Sequence, residues 1–258
     1  MPETKLVGSF RLDNRIALVT GGSRGIGEAI ARAFASHGAT VIIASRKQPA
    51  IDETVAAIRA DGGRASGMAC HTGKSPEVEA LFSHIKDTYG RLDILVNNAA
   101  TNPYFGPFIS AEESVFDKTF EVNVKGYFLI GQQAARMMAE QGGGSIINVA
   151  SIEGLSPSPL MGIYSMTKAS VIMMTKVIAR ELGGSRVRCN CICPGLTETR
   201  FARVLLDSEE IYKHYVDKTP LGRHGYPDEV AGLAVYLASD AAAYMTGAVI
   251  PCDGGYSV

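Results

Sequence analysis

Residues 16–27 read IALVTGGSRGIG. An apolar run ends in a threonine and a cluster of glycines, and an amphipathic stretch follows over 26–37. Run, turn and periodic stretch predict a strand that feeds through a tight Gly-rich turn into a helix. The same alternation continues outward. Strand-like runs recur at TVIIA (40–44), ASGMAC (65–70), DILVN (93–97), SIINVAS (145–151), RVRCNCIC (186–193) and GAVIPCDG (247–254). Helical patterns lie between them at roughly 51–61, 76–89, 112–140, 161–182 and 227–238. Strand and helix alternating this often predict parallel strands joined by crossovers. The expected fold is one Rossmann-type, doubly wound α/β domain over residues 1–258, with a seven-stranded, mostly parallel sheet. Residues 195–225, bounded by Pro194, Gly195, Pro220, Gly222 and Gly225, are the least regular region and are expected to form a substrate loop or lid.

Composition narrows the function classes. The 258-residue chain has 46% hydrophobic and 20% charged residues and a net charge of −1, an ordinary globular balance. No basic stripe suits it to DNA or RNA, and no apolar stretch is long enough for a membrane span. Residues 1–14 lack the apolar run of a secretory signal, and the expected location is cytoplasmic. The five cysteines include Cys189, Cys191 and Cys193, which alternate and would share one face of a strand. Buried small hydrophobes are expected there rather than a metal site.

The turn at 20–27 also carries chemistry. Glycines between a strand and a helix let the backbone approach a pyrophosphate, whose charge is favoured at the helix N-terminus. A plain Gly-rich turn is the competing reading. The second strand runs out at Ala44-Ser45-Arg46-Lys47. An NAD site would place Asp or Glu here for the ribose hydroxyl. No acid is present, and Arg46 with Arg24 could clamp a 2′-phosphate instead, so NADP(H) is the expected cofactor. Tyr164 and Lys168 lie four apart in a helical stretch and share a face. An ammonium nearby favours the phenolate and would bring a tyrosine toward acid–base use. The pair alone would more often be an ordinary surface contact.

The spacing Thr-Gly-x-x-x-Gly-x-Gly resembles the short-chain dehydrogenase/reductase family, and further matches occur in order along the chain. They are Asn97-Asn98-Ala99-Ala100, Asn123, Ser151, Tyr164 with Lys168, Pro194-Gly195 and Thr199. Two positions depart from the family pattern. Ala100 replaces a glycine, and His71-Thr72 stand where many members carry an aspartate for the adenine. The resemblance implies that Gly21, Ser23, Arg24, Ile26 and Gly27 line the adenosine and pyrophosphate half of the cofactor. Ser45, Arg46, His71, Asn98, Ala99, Pro194, Gly195, Thr197 and Thr199, with Tyr164 and Lys168, complete that site. It further implies a catalytic tetrad. Ser151 and Tyr164 bond the substrate oxygen, Tyr164 transfers the proton, Lys168 holds the ribose and lowers the tyrosine pKa, and Asn123 holds a water.

Ser45-Arg46-Lys47-Gln48, Cys70-His71, Asn102-Pro103-Tyr104-Phe105-Gly106 and Ser156-Pro157-Ser158-Pro159 are similar to the NADPH-dependent carbonyl reductase/retinol dehydrogenase branch and its microbial relatives. That branch implies a small-molecule ketone, aldehyde or alcohol as substrate. Its animal members usually end in a peroxisomal signal, and the terminal Gly255-Tyr256-Ser257-Val258 does not match one. Reduction of 3-oxoacyl thioesters is the alternative, with Arg200 and Arg203 as candidate carrier contacts, although Phe201 and Leu205 fit an apolar lid equally well. A non-catalytic scaffold would be expected to have lost a tetrad residue. The family also implies a homotetramer that pairs the two long helices. Met137, Met138, Met173 and Met174 could serve that contact or the core. Glu153, two residues after Ser151, is expected either to meet a polar or cationic group on the substrate, or to point to solvent or accept local backbone hydrogen bonds.

Overall fold

The computed structural model describes residues 9–258. Seven parallel strands form one sheet in the order β3-β2-β1-β4-β5-β6-β7. They are β1 (Ile16–Thr20), β2 (Thr40–Ser45), β3 (Arg64–Ala69), β4 (Ile94–Asn97), β5 (Gly144–Val149), β6 (Val187–Pro194) and β7 (Val249–Cys252). Central strands of a sheet covered on both sides should be apolar on both faces. Accordingly Ala17, Leu18, Val19, Val41, Ile42 and Ile43 are all fully buried.

Helices cover both faces. On one side α1 (Gly25–Ser36), α2 (Gln48–Ala60) and α9 (Pro227–Ala238) pack through Ile30, Phe34, Ile51, Val55 and Val235. On the other, α3 (Ser75–Tyr89), α5 (Gly126–Glu140) and α6 (Gly162–Leu182) pack through Leu81, Ile85, Ile130, Met138 and Ala179. The strand order reverses between β1 and β4, which opens a crevice at their carboxyl ends.

Two expectations need revision. The stretch 112–140 is not one uniform helix. It comprises α4 (Glu113–Phe120), a π-helical turn (Glu121–Lys125) and α5, with backbone angles that stay helical through the junction. The region 195–225 is not irregular throughout, because it contains α7 (Arg203–Leu206) and α8 (Glu209–Lys218). Gly195, Gly222 and Gly225 lie outside both helices, so they bound helical pieces rather than a structureless loop.

Cys189, Cys191 and Cys193 are buried and unbridged along β6, as the alternation suggested. Met138 is a core residue, and Met137 and Met174 are partly buried. Only Met173 of the four methionines is open to solvent, at 58% exposure. Among the described residues, no helix is long and apolar enough to cross a membrane.

Candidate active site

The crevice holds one large cleft of about 1240 Å³. Its first end is built by the glycine turn. Gly21 has φ +64°, and a Cβ there would lie 2.9 Å from the Ala99 Cα, so no side chain fits. Gly25 opens α1 at φ +57° and faces the Thr199 side chain. Asn98 braces the arrangement. Its backbone N–H donates to Thr20 Oγ1 (2.9 Å) and its side-chain amide to the carbonyls of Thr20 (3.0 Å) and Gly21 (3.3 Å). The N-terminus of α1 carries no side-chain cap. Uncapped N–H groups above a cradle without side chains fit the pyrophosphate of a dinucleotide.

Ser23, Arg24, Ile26, Ser45, Arg46 and His71 line the same end, and the Ser23 and Ser45 hydroxyls bond at 3.0 Å. Arg24 and Arg46 are exposed there. The ring of His71 is already engaged. Its Nδ1 accepts from Gly73 N (3.2 Å), and Nε2 lies 3.2 Å from Lys118 Nζ, which donates to Glu121 at 2.6 Å.

The second end gathers the residues beyond β5 and on α6. Ser151, Tyr164 and Lys168 line the cleft with Pro194, Gly195, Thr197 and Thr199. Ala99 lies across from them at the end of β4. Of the residues assigned from the sequence to the cofactor site and the tetrad, Gly27 and Asn123 do not line the cleft. Gly27 is packed behind Gly21 and Asn98. Asn123, fully buried in the π turn, accepts from Thr101 N (2.8 Å) and donates to Thr101 O (2.9 Å) and Thr167 Oγ1 (3.1 Å). Its side chain therefore ties the β4 loop to α6.

Tyr164 and Lys168 are no surface pair, at 7% and 1% exposure. Lys168 Nζ donates to Val149 O (2.8 Å) and Tyr127 Oη (3.4 Å), and lies 5.5 Å from the Tyr164 ring centre. Burial pushes the Tyr164 phenol well above its ordinary range. The Ser151 hydroxyl opposes that rise, while Glu153 and Cys193 add to it. Burial likewise lowers the Lys168 ammonium to about 8. The lysine charge beside the ring favours the phenolate, and burial opposes it. Ser151 Oγ accepts from Glu153 N (3.2 Å), which leaves the serine proton available to a substrate oxygen.

Tyr127 is a site residue that the sequence pattern did not reveal. It is buried on α5, and its hydroxyl donates to Val149 O (2.9 Å), the carbonyl that also receives Lys168. The only available signal was its place four residues after Asn123, one helical turn on. Phe201 packs on Tyr164 at 5.8 Å between ring centres. Tyr215 on α8 accepts from Leu196 N (2.8 Å) and stacks on Tyr256, which fastens α8 over the Pro194–Thr197 loop. Arg203 pairs with Asp207 at 3.6 Å outside the cleft lining, whereas Arg200 lines it. Glu153 accepts from Ser158 N, Ser158 Oγ and Ser165 Oγ, so of its two readings the geometry favours local hydrogen bonding.

A family model described as "Enoyl-(Acyl carrier protein) reductase" matches residues 21–257. The chain is 41% identical over 244 residues to "Dehydrogenase/reductase SDR family member 4" of Bos taurus, covering 95% of this chain and 88% of that protein. A gluconate 5-dehydrogenase from Burkholderia cenocepacia, solved with NADP and tartrate, superposes with TM-score 0.93 at 33% identity, covering 96% of this chain and 97% of that one. A 7α-hydroxysteroid dehydrogenase, solved with NADH and 7-oxo glycochenodeoxycholic acid, gives TM-score 0.91 at 32% identity over 95% of each chain.

Proposed function

The chain belongs to the short-chain dehydrogenase/reductase family, and from that membership we propose that it is an NADP(H)-dependent reductase of small ketones and aldehydes, able to oxidise the corresponding alcohols. Oxidoreduction of alcohol or carbonyl groups is the family's activity; the cofactor preference, the direction and the residue roles are our reading. Kinship alone leaves the cofactor open, since similar structures hold NADP in one case and NADH in the other. The preference for NADP rests on this chain's own Ala44–Lys47 segment, where Arg46 stands and no carboxylate does.

Bound nicotinamide would supply the hydride chemistry. The glycine turn from Gly21 to Gly27 would hold the pyrophosphate, and Arg24 and Arg46 the 2′-phosphate. Lys168, with Pro194, Gly195, Thr197 and Thr199, would position the nicotinamide half. The chain's remaining work is acid–base and positional. Ser151 and Tyr164 donate hydrogen bonds to the carbonyl oxygen, and Tyr164 gives up its proton as the alkoxide forms. Lys168 stabilises the tyrosinate left behind. Asn123 keeps the β4 loop and α6 in register. Residues 195–225 serve as the lid, with Phe201 over Tyr164 and α8 held down by Tyr215.

The buried Tyr164–Lys168 pair at the cleft floor carries this reading, because burying an ammonium and an ionisable phenol together is costly unless the site uses them. The test is a panel of ketones, aldehydes, alcohols and a 3-oxoacyl thioester, assayed with NADPH and NADH by nicotinamide absorbance. Reduction of simple ketones with NADPH supports the reading. Turnover confined to the thioester would replace it with carrier-linked chemistry, for which Arg200 is the remaining basic candidate at the cleft.

We further propose assembly into a homotetramer. Phe116, Phe128, Met166, Met173 and Val177 expose apolar surface along α4, α5 and α6, the helices the family pairs across a two-fold axis.

A further inference from the structure

The segment after Ser151 is built more tightly than a surface loop requires. A 3-10 turn at Ile152–Gly154 lies directly on α6, so close that a Cβ on Gly154 would come within 2.7 Å of the Lys168 carbonyl carbon. The chain then runs Leu155-Ser156-Pro157-Ser158-Pro159-Leu160 before entering α6. Glu153 spans this excursion. One carboxylate oxygen accepts from Ser158 N (2.8 Å) and from Ser165 Oγ (3.0 Å); the other accepts from Ser158 Oγ (2.6 Å). Among the described residues no lysine, arginine or histidine forms an ion pair with it, so hydrogen bonds alone hold this half-buried carboxylate.

The loop ends at a strained residue. Leu160 has φ +68°, a left-handed conformation that residues with a Cβ rarely take. Its carbonyl accepts from Gly106 N (3.1 Å), which couples this loop to the 100–111 loop across the cleft. Asn102 adds a second link through its amide to the Met161 sulfur (3.3 Å). Such strain persists only where surrounding bonds fix it, and it collects at ligand clamps. The side chain set by that strain lines the cleft. Leu160 and Leu155 are each about 40% exposed, and they face the same cavity as Phe105 and Phe201.

We propose that Glu153 is a positioning residue for substrate recognition: by tethering Ser158 to α6 it holds Leu155 and Leu160 as an apolar wall beside Ser151 and Tyr164, and so selects carbonyl compounds that carry a bulky apolar group next to the reacting carbon. This rests on the reading of the cleft as a carbonyl reductase site. Glu153 itself does not touch the substrate. An amine-bearing substrate would find both carboxylate oxygens already engaged by the chain's own donors.

The amide variant separates tether from charge. In Glu153→Gln the amide oxygen can still accept from Ser158 N and Ser165 Oγ, and its NH2 can donate to the Ser158 hydroxyl turned to accept. In Glu153→Ala all three bonds are lost. The measurement is kcat/KM for cyclohexyl methyl ketone divided by kcat/KM for 2-butanone, for wild type and both variants. The tether predicts that this ratio falls about tenfold in Glu153→Ala, mainly through KM for the bulky ketone, and stays within about twofold of wild type in Glu153→Gln. An unchanged ratio in Glu153→Ala overturns the proposal, as does an equal fall in both variants, which would assign the effect to charge. Amide exchange at Ser158, which lies between two prolines, gives a readout independent of turnover. Protection should be lost in Glu153→Ala and kept in Glu153→Gln, and protection that survives in Glu153→Ala overturns the tether. If wild type reduces neither ketone with NADPH or NADH, the carbonyl reductase reading fails, and the exchange result still decides whether Glu153 fixes the loop.

Discussion

Replacing Arg46 with alanine should convert a cofactor preference into near indifference, and the size of the change follows from where Arg46 sits. It is exposed at the end of β2, beside the Ser23–Ser45 hydroxyl pair (3.0 Å) and across from Arg24, whose side chain does not cap α1. A hydrogen bond to a charged group contributes about 1.5–3 kcal/mol. Exposure to solvent puts this one at the lower end, about 1.5–2 kcal/mol. At about 1.4 kcal/mol per tenfold, kcat/KM for NADPH should drop roughly 10- to 30-fold. NADH lacks the 2′-phosphate, so its kcat/KM should move less than about twofold. Both are read from initial rates with one ketone at saturating concentration. Repeating the pair at low and high salt adds an internal check, because screening over a Debye length of about 10 Å at 0.1 M should shrink the NADPH effect and leave NADH alone. Equal losses with both cofactors would show that Arg46 acts on the fold of the turn. A tenfold preference for NADH in the wild-type enzyme would refute the reasoning outright.

Tyr164→Phe should abolish turnover while NADPH still binds with near wild-type Kd by fluorescence, since only the proton-transferring hydroxyl is lost; near-normal kcat would end its assignment as the acid. Lys168 is lowered to about 8, so its charged form is present below that pH and lost above it, and kcat/KM for ketone reduction should decline above about pH 8. Alcohol oxidation, which needs Tyr164 to give up a proton that burial retains, should instead rise with pH, and parallel profiles in the two directions would contradict this. Tyr127→Phe removes an acceptor 3.4 Å from the Lys168 ammonium but keeps the ring, so the alkaline limb for reduction should move to lower pH; an unmoved limb would mean that Val149 O alone holds the lysine. Phe128→Glu, on the exposed face of α5, should shift light scattering toward smaller species at micromolar concentration, and a monomeric wild type would contradict the proposed tetramer.

The sheet was legible because its signal is long-range and redundant. Every strand run in the sequence became a strand of the single parallel sheet, and the run at 16–20 occupies the strand beside the reversal that makes the cleft. What was lost is what periodicity averages away. Asn123 lies within an uninterrupted helical pattern, and nothing in residues 112–140 marks the π turn that carries it. The helices α7 and α8 were hidden by the glycines and prolines around them, which dominate a local reading even when the intervening residues form whole turns. Tyr127 reads as one more apolar position on α5, and only the shared carbonyl of Val149 reveals its contact with Lys168. A Tyr–Lys spacing reports proximity, whereas the sign of the tyrosine shift depends on burial, which spacing does not carry.

Departures from regular geometry converge on the same few connections. The π turn directs Asn123 toward both Thr101 and Thr167, the neighbour of Lys168 on α6, so the end of β4 and the start of α6 are held by one amide. The left-handed Leu160 offers its carbonyl to Gly106, which joins the loop after β4 to the segment after Ser151. Gly21, at positive φ, lets the first turn approach Ala99 on the β4 loop as no other residue could. Each irregularity links the loop after β4 to a different partner: the glycine turn, α6, or the segment after Ser151. That loop contains Ala100, where the family has glycine. With three external ties fixing its course, the loop holds its path without the backbone freedom of a glycine at that position.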